Sequence, residues 1–406
     1  MRVSTSSFYE QSRATIGVQQ GNLLKVQTQL GTGSKILAPS DDPLGATRAL
    51  AVSQAIALNT QYATSRGQAT QTLTLEETTL QSVTSVLDNV RQSIVQAGNG
   101  TLSDADRASI ATVLQSNLAQ LQGLANADDG NGQFLFAGFK SGSPPFVSQA
   151  DGSVTYAGDQ GQRLLQVDVS RQLSSTDDGR SIFQSVQGGA GYVSASPDTN
   201  KGSVVFSQLS VTDRGDKNFG KDFAINFSSS PASYTVSTIA TPSEVVTTAT
   251  PFVPGQTINF GGVNIKLTGT PADGDSLNVK QAQNAGADIF SSIRDVITAL
   301  NKPTEGLGAP AQANLLNALS TANRKVVNAA DTVSTVRASV GSRLQELDAL
   351  SVSGDSRTLA NKSYLSSIQD LDYATAISEF YQRQTALQAS QQTFVKIQNI
   401  SLFNYL

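Results

Sequence analysis

The chain has 406 residues, a formal net charge of −4, no cysteine and no histidine. Disulfides, thiolate or imidazole metal sites, and Ser-His-Asp or Cys-His catalysis are thereby excluded, and acid–base chemistry would fall to Asp, Glu, Lys or Tyr. There is no global basic field for nucleic acid, and an apolar fraction of 38% with no tryptophan and one methionine leaves many contacts to small or polar side chains.

The opening MRVSTSSFYEQSRATIG lacks the roughly 7–15-residue apolar core and the small-residue cleavage site of a secretory signal. No run of about 18 apolar residues predicts a membrane-spanning helix. Tyr9, Ile16, Leu23, Leu30 and Leu37 recur every seven residues and predict a helix with a heptad seam. Asp41-Asp42, between Pro39 and Pro43, reads as the beginning of a helix, where acidic groups favour the N-terminal dipole. Leu73, Leu80, Leu87 and Ile94, with Val83, Val90 and Ala97 three residues after the last three, give a long helix that stops at Gly98-Asn99-Gly100. Ser103 and Asp106 form a variant capping box, and Ile110, Leu114, Asn117, Leu118, Leu121 and Ala125 carry the helix that follows. Asp128-Asp129-Gly130-Asn131-Gly132 should end it; a calcium loop would need further Asp/Asn spacing and a closing Glu.

From about Gln133 the period becomes two. Phe134 and Phe136, then Val154 and Tyr156, flank a turn-rich stretch with Pro144-Pro145 and predict a β-hairpin with a long tip; Leu165, Val167 and Val169 alternate as another strand. Residues 172–284 are rich in Gly, Ser, Thr and Asn, with short strands such as Phe223-Ile225-Phe227. Gly261-Gly262 between Ile258/Phe260 and Val263/Ile265/Leu267 predicts a two-residue hairpin. Gly215 to Lys221 resembles the first part of a phosphate-binding loop, but Asp222 replaces the hydroxyl residue that would hold Mg²⁺, so a turn is expected. Helical spacing resumes at Ile289, Ile293, Val296 and Leu300. It continues through Leu319, Val326, Val333, Val340 and Leu347, with Ala322, Ala329 and Val336 as companions, and closes with Tyr373, Phe380, Leu387 and Phe394. The expected fold is α+β: elongated terminal coiled-coil or bundle domains that pair with each other and carry an inserted, mostly-β outer domain. Its parts are residues 1–44 with 365–406, residues 45–171 with 285–364 including the hairpin, and residues 172–284.

The two ends are half polar. Four residues after the apolar positions stand Gln20, Gln27 and Ser34 in the first run, and Gln384, Gln391 and Gln398 in the last. Isolated helices are marginal in water, and a seam with one large apolar residue per heptad gains little burial. The ends are therefore expected to be disordered in the monomer and to fold against copies of themselves. The expected assembly surface is Tyr9, Ile16, Leu23, Leu30, Leu37, Tyr373, Phe380, Leu387 and Phe394, with Gln384, Gln391 and Gln398. An ordinary coiled coil, or an enzyme or binding module on a helical stalk, is the competing reading.

Several segments carry a family resemblance. Met1-Arg2-Val3-Ser4-Thr5, residues 27–35 (QTQLGTGSK) and Pro39-Ser40-Asp41-Asp42-Pro43 resemble the start of the flagellin superfamily. Residues 97–107 (AGNGTLSDADR), 134–138 (FLFAG), 386–390 (ALQAS) and 401–406 (SLFNYL) fit it too, and GTPADGD at 269–275 resembles a segment of several hook-associated proteins. Within the superfamily the likeness is to the hook-associated protein 3 family, over roughly 1–170 and 285–406. Flagellin-like filament subunits are the alternative, although the Asn404-Tyr405-Leu406 ending departs from their pattern. The resemblance implies a non-enzymatic subunit without cofactor, secreted through the flagellar type III apparatus and stacked in a tube with identical copies. Hook-associated protein 1 and flagellin would be its neighbours, and an export chaperone would cover the C-terminal helix. Neither nucleic acid nor membrane would be bound.

Overall fold

The structure is a computed structural model that describes residues 5–230 and 232–399. The motifs at residues 1–4 and 401–406 lie outside the described residues, as does the side chain of Gln398. Helical terminal regions flank a β-rich middle.

Helix α1 (Thr5–Thr32) ends because Gly33 takes φ +70° and donates its N–H to Gln29 O at 2.8 Å. Leu37 therefore leaves the heptad: the seven-residue spacing continues into a loop after the helix has stopped. Helix α2 (Pro43–Ala97) begins with Asp42 accepting from Gly45 N at 2.9 Å and with proline at the first helical position. The predicted capping box opens α3 (Asp104–Ala125): Ser103 Oγ accepts from Asp106 N, and Asp106 Oδ2 accepts from Ser103 N, each at 3.1 Å.

The hairpin is shorter than expected. Its arms are β1 (Phe146–Ser148) and β2 (Val154–Tyr156), paired antiparallel with Phe146 opposite Tyr156. Phe134 and Phe136 are not its first arm, because Leu135, Phe136 and Ala137 are consecutively buried rather than alternating, and Gly138 turns at φ +69°. Asn126, at the end of α3, holds β1 through both amide atoms: Phe146 N donates to Oδ1 at 2.8 Å and Nδ2 donates to Phe146 O at 2.9 Å. Strands β3 (Leu164–Asp168) and β4 (Arg171–Ser174) pair antiparallel and lead to the short helix α4 (Gly179–Phe183). Phe136, Phe146, Phe183 and the Phe290 ring of α5 (Ile289–Leu300) pack with centroids 5.2–5.9 Å apart.

The β-rich part has strands β5 (Tyr192–Ala195), β6 (Val205–Val211), β7 (Phe223–Ser229), β8 (Ala232–Thr238), β9 (Val245–Pro251), β10 (Thr257–Phe260), β11 (Val263–Thr268) and β12 (Ser276–Gln281). Five form a sheet in the order β5-β12-β7-β8-β9 and three form β10-β11-β6, all antiparallel. Alternating side chains from both sheets, among them Phe223, Ile225, Phe260 and Ile265, share one core, so the sheets pack face to face. The Gly-Gly hairpin is as expected: Gly261 and Gly262 take φ +51° and +73° between Phe260 and Val263. The Gly215–Lys221 segment is a turn, with Asp213 and Asp216 accepting from Gly215 N and Asn218 N and Lys221 paired to Glu244 at 2.7 Å.

Helices α6 (Gly308–Gln369) and α7 (Tyr373–Asn399) complete the chain. Glu77 of α2 pairs with Arg337 of α6 at 2.7 Å, and Asn59 of α2 donates to Gly354 O of α6 at 2.7 Å. The chain divides into a first unit, Met1–Thr64 with Ala349–Leu406, and a second, Ser65–Asp348. In the second, Leu73, Leu80, Val83, Leu87, Val90 and Ile94 are buried on α2, and Leu319, Val326, Val333, Val340 and Leu347 on α6.

Candidate assembly surface

The first unit is held by an antiparallel helix pair and one loop. Tyr9 of α1 packs against Phe394 of α7 with ring centroids 5.0 Å apart and the rings tilted by 44°. At the other end Leu371 N donates to Gly33 O at 2.9 Å and Lys35 N to Gln369 O at 2.8 Å, with Ser34 bridged to Asp370. The loop between α1 and α2 is organised by Asp41, whose Oδ2 accepts from Leu37 N and Ala38 N at 3.1 Å while Lys25 Nζ reaches Oδ1 at 2.8 Å. The Lys25 hydrogen bond, then those backbone donors, hold the Asp41 carboxyl below its usual range. Asp372 begins α7 in the same manner, held low first by the Thr375 hydroxyl and backbone. The reading of Asp41-Asp42 as a helix start therefore stands, with Asp42 as the cap and Asp41 as the organiser of the preceding turn.

Burial in this unit is thin. Among the described residues its only fully buried apolar side chains are Val26, Ala49 and Ala376. Ile16, Leu23, Leu30, Phe380, Leu387 and Phe394 are half-buried. Tyr9, Leu37 and Tyr373 are exposed, at 37%, 36% and 53%. Gln384 is half-buried and Gln391 exposed, and neither side chain makes a hydrogen bond among the described residues. Val26 and Ala376 lie three residues after Leu23 and Tyr373. The same offset gives the companion row of α2; at the ends its other positions are Ser12, Gln19, Gly33, Arg383 and Ser390, which are small or polar, and Ile397, whose side chain lies outside the described residues.

Beyond the predicted rows, Val18, Leu24, Leu44, Leu50 and Leu58 on α1 and α2 are exposed, as are Val352, Leu359, Tyr364, Ile377, Tyr381 and Val395 on α6 and α7. Val18 and Leu24 on α1 and Ile377, Tyr381 and Val395 on α7 fall outside the apolar seven-residue rows, whereas Leu44 and Leu58 continue the spacing of Leu37 on α2. A shallow cleft of about 260 Å³ between Ile36, Leu37, Ala38, Pro39 and Leu50 adds to this surface. Scattered exposed apolar residues are ordinary, but here, among the described residues, many are exposed and three are buried.

The second unit contains a cavity of about 420 Å³ between β5, α5 and α6. Its mouth carries the Lys302–Asp198 ion pair, and burial holds the Lys325 ammonium below its usual range against the pull of Asp295 and Asp288. Among the described residues no group of three or more acidic side chains is placed to hold a metal. No described helix is long and apolar enough to cross a membrane.

Residues 3–141 match the bacterial flagellin N-terminal helical region and residues 324–406 the bacterial flagellin C-terminal helical region. Over 403 residues the chain is 33% identical to flagellar hook-associated protein 3 of Salmonella typhimurium, covering 99% of each. Among solved structures it is similar to FlgL of Xanthomonas campestris, at 28% identity and a TM-score of 0.68, over 78% of this chain and 99% of that one. It is likewise similar to the flagellar junction protein FlgL of Legionella pneumophila, at 26% identity and a TM-score of 0.68, over 79% and 99%.

Proposed function

The chain belongs to the hook-associated protein 3 family of the flagellin superfamily, and from that premise we propose that it is a structural, non-enzymatic subunit at the hook–filament junction, built into a tube by its paired terminal helices. The observation that carries the assembly reading is that, among the described residues, the first unit buries only Val26, Ala49 and Ala376 as apolar side chains. Burial contributes about 25 cal/mol per Å² of apolar surface, and ordering each residue costs on the order of 1–2 kcal/mol. A unit with so small a core draws the balance from copies packed around it.

In this reading Tyr9, Ile16, Leu23, Leu30, Leu37, Tyr373, Phe380, Leu387 and Phe394 meet neighbouring subunits, and Gln384, Gln391 and Gln398 hydrogen-bond across the contact. Hook-associated protein 1 and flagellin are the neighbours on the two sides. Before assembly the protein is exported by the flagellar type III apparatus with a chaperone on α7, whose amphipathic face suits an apolar groove. The inner, middle and outer parts are residues 1–44 with 365–406, 45–171 with 285–364, and 172–284. A flagellin-like filament subunit is the second reading, favoured by the flagellin matches at both ends; a label along the whole filament, rather than a band at its base, would establish it.

Deleting residues 392–406 tests the assembly reading. It removes Phe394 from Tyr9 while leaving the second unit untouched. The expected product is folded, with unchanged β-sheet circular dichroism, and fails to restore filaments to a strain lacking the junction protein. Full restoration of swimming would refute the role of the helix pair.

A further inference from the structure

The apolar companion rows of α2 and α6 each have one break. Seven residues before Val83 stands Glu76, and seven after Val336 stands Arg343. Glu76 is completely buried in the seam, and neither of its carboxyl oxygens has a hydrogen-bond partner by geometry. Asp177, on the segment between β4 and α4, lies against it and is hydrogen-bonded to Arg343 Nη2; Arg343 Nη1 also donates to Ser174 O at 3.1 Å.

We infer that Glu76, Asp177 and Arg343 form a proton-dependent clasp: protonated Glu76 donates to the Asp177 carboxylate, Arg343 closes the other side, and segment 174–178 is thereby tied to the α2–α6 pair in a single heptad register. Two carboxylates in a dry seam repel, and a buried charge without full pairing is costly. A carboxylic acid with its proton can instead donate to its neighbour. Burial, then the charge of Asp177, holds the Glu76 carboxyl well above its usual range, and Arg343 opposes them. The nearby charged groups are otherwise engaged: Glu77 of α2 with Arg337 of α6 at 2.7 Å, Arg171 of β4 with Glu346 of α6, and Asp178 with Ser181 N. Register follows from the same cost. A slip of α2 against α6 by one heptad moves Glu76 into an apolar layer without a partner, which is how single buried polar residues fix coiled-coil alignment.

The pH dependence has a definite sign. A carboxyl raised on folding is most compatible with the fold below its unfolded value, near 4.5. As pH rises from there to the raised folded value, the unfolded chain has already released the proton and stability falls; above the folded value it levels off. Each unit of separation is a tenfold change in the folding constant.

The test uses the full chain and Glu76→Gln, which keeps a donor and removes the titration. Thermal unfolding of the second unit between pH 4.5 and 9 should show the wild-type midpoint falling with pH, whereas the variant's profile is flatter and its midpoint higher at pH 8. Hydrogen exchange at 174–178, corrected for intrinsic rates, should quicken with pH beyond the response of the variant. Carbon-13 NMR of the wild-type Glu76 carboxyl gives a reading independent of any substitution. A carboxyl midpoint near 4.5, or a variant with the wild-type pH profile, would overturn the clasp.

Discussion

A Cβ on Gly45 would stand 2.2 Å from Asp42 Oδ2 and 2.9 Å from Ile36 Cδ1. The carboxylate that caps α2 and the end of the Ile36 side chain both close on that backbone, so an added methyl must push them aside. Gly45→Ala is expected to displace the cap and cost about 1–2 kcal/mol, as for loss of an N-cap, measured as faster protease cleavage at residues 33–45 while the second unit's unfolding midpoint stays fixed. Asp41 titrates in the opposite sense to Glu76. Its carboxyl is held low by Lys25 and by backbone donors, so its contribution is present above about pH 4 and lost as pH falls through the lowered value. Asp41→Asn should make the loop 33–42 as open to exchange at pH 7 as the wild type is only in stronger acid; equal exchange in both proteins at pH 7 would show that the carboxylate does not organise the turn. The sequence displayed the Asp-Asp-Pro helix start, because capping chemistry is local. Glu76 was hidden because heptad counting follows apolar residues, and its only sign is a missing member of the companion row.

At the scale of elements, the heptads of the long helices were legible wherever burial is complete. Leu73 to Ile94 and Leu319 to Leu347 are buried at the spacing the sequence shows. Leu37 was misplaced because spacing alone cannot see Gly33 end the helix. The first hairpin arm moved from Phe134–Phe136 to Phe146–Ser148 because Phe136 serves an aromatic cluster and Phe134 bridges to Asp128, and tertiary contacts of that kind leave no period in the chain. The terminal pair shows the same limit in reverse. Its Gln row is visible in sequence, yet what those side chains meet lies outside one molecule. Gln384→Leu with Gln391→Leu would supply apolar surface to positions that are half-buried and exposed in the single chain. The variant should polymerise more readily and carry a stiffer junction, read as impaired swimming with normal filament length. Unchanged swimming would mean that the Gln row does not govern the contact.

At the scale of the whole molecule the two units differ in how they are sustained. The second has an aromatic cluster, a two-sheet core and a long apolar seam; among the described residues the first has three buried apolar side chains, two of them alanine. Local opening free energies follow buried contacts, from near zero at frayed ends to the global value in a core. In dilute protein the amides of α1 and α7 should therefore exchange at nearly unprotected rates, and limited proteolysis should trim both ends, while amides of residues 73–94 and of β7 and β11 are protected by several orders of magnitude. On assembly the difference should narrow, because any partner that binds only the ordered form adds its binding free energy to that form. The informative comparison is one chain in two states, monomer and filament-bound, measured by exchange at the same pH. Protection of α1 and α7 that rises with assembly while β7 stays constant is the expected result. Equal protection of α1 and β7 in the monomer would mean that the helix pair is stable by itself, and assembly would then need another driving surface.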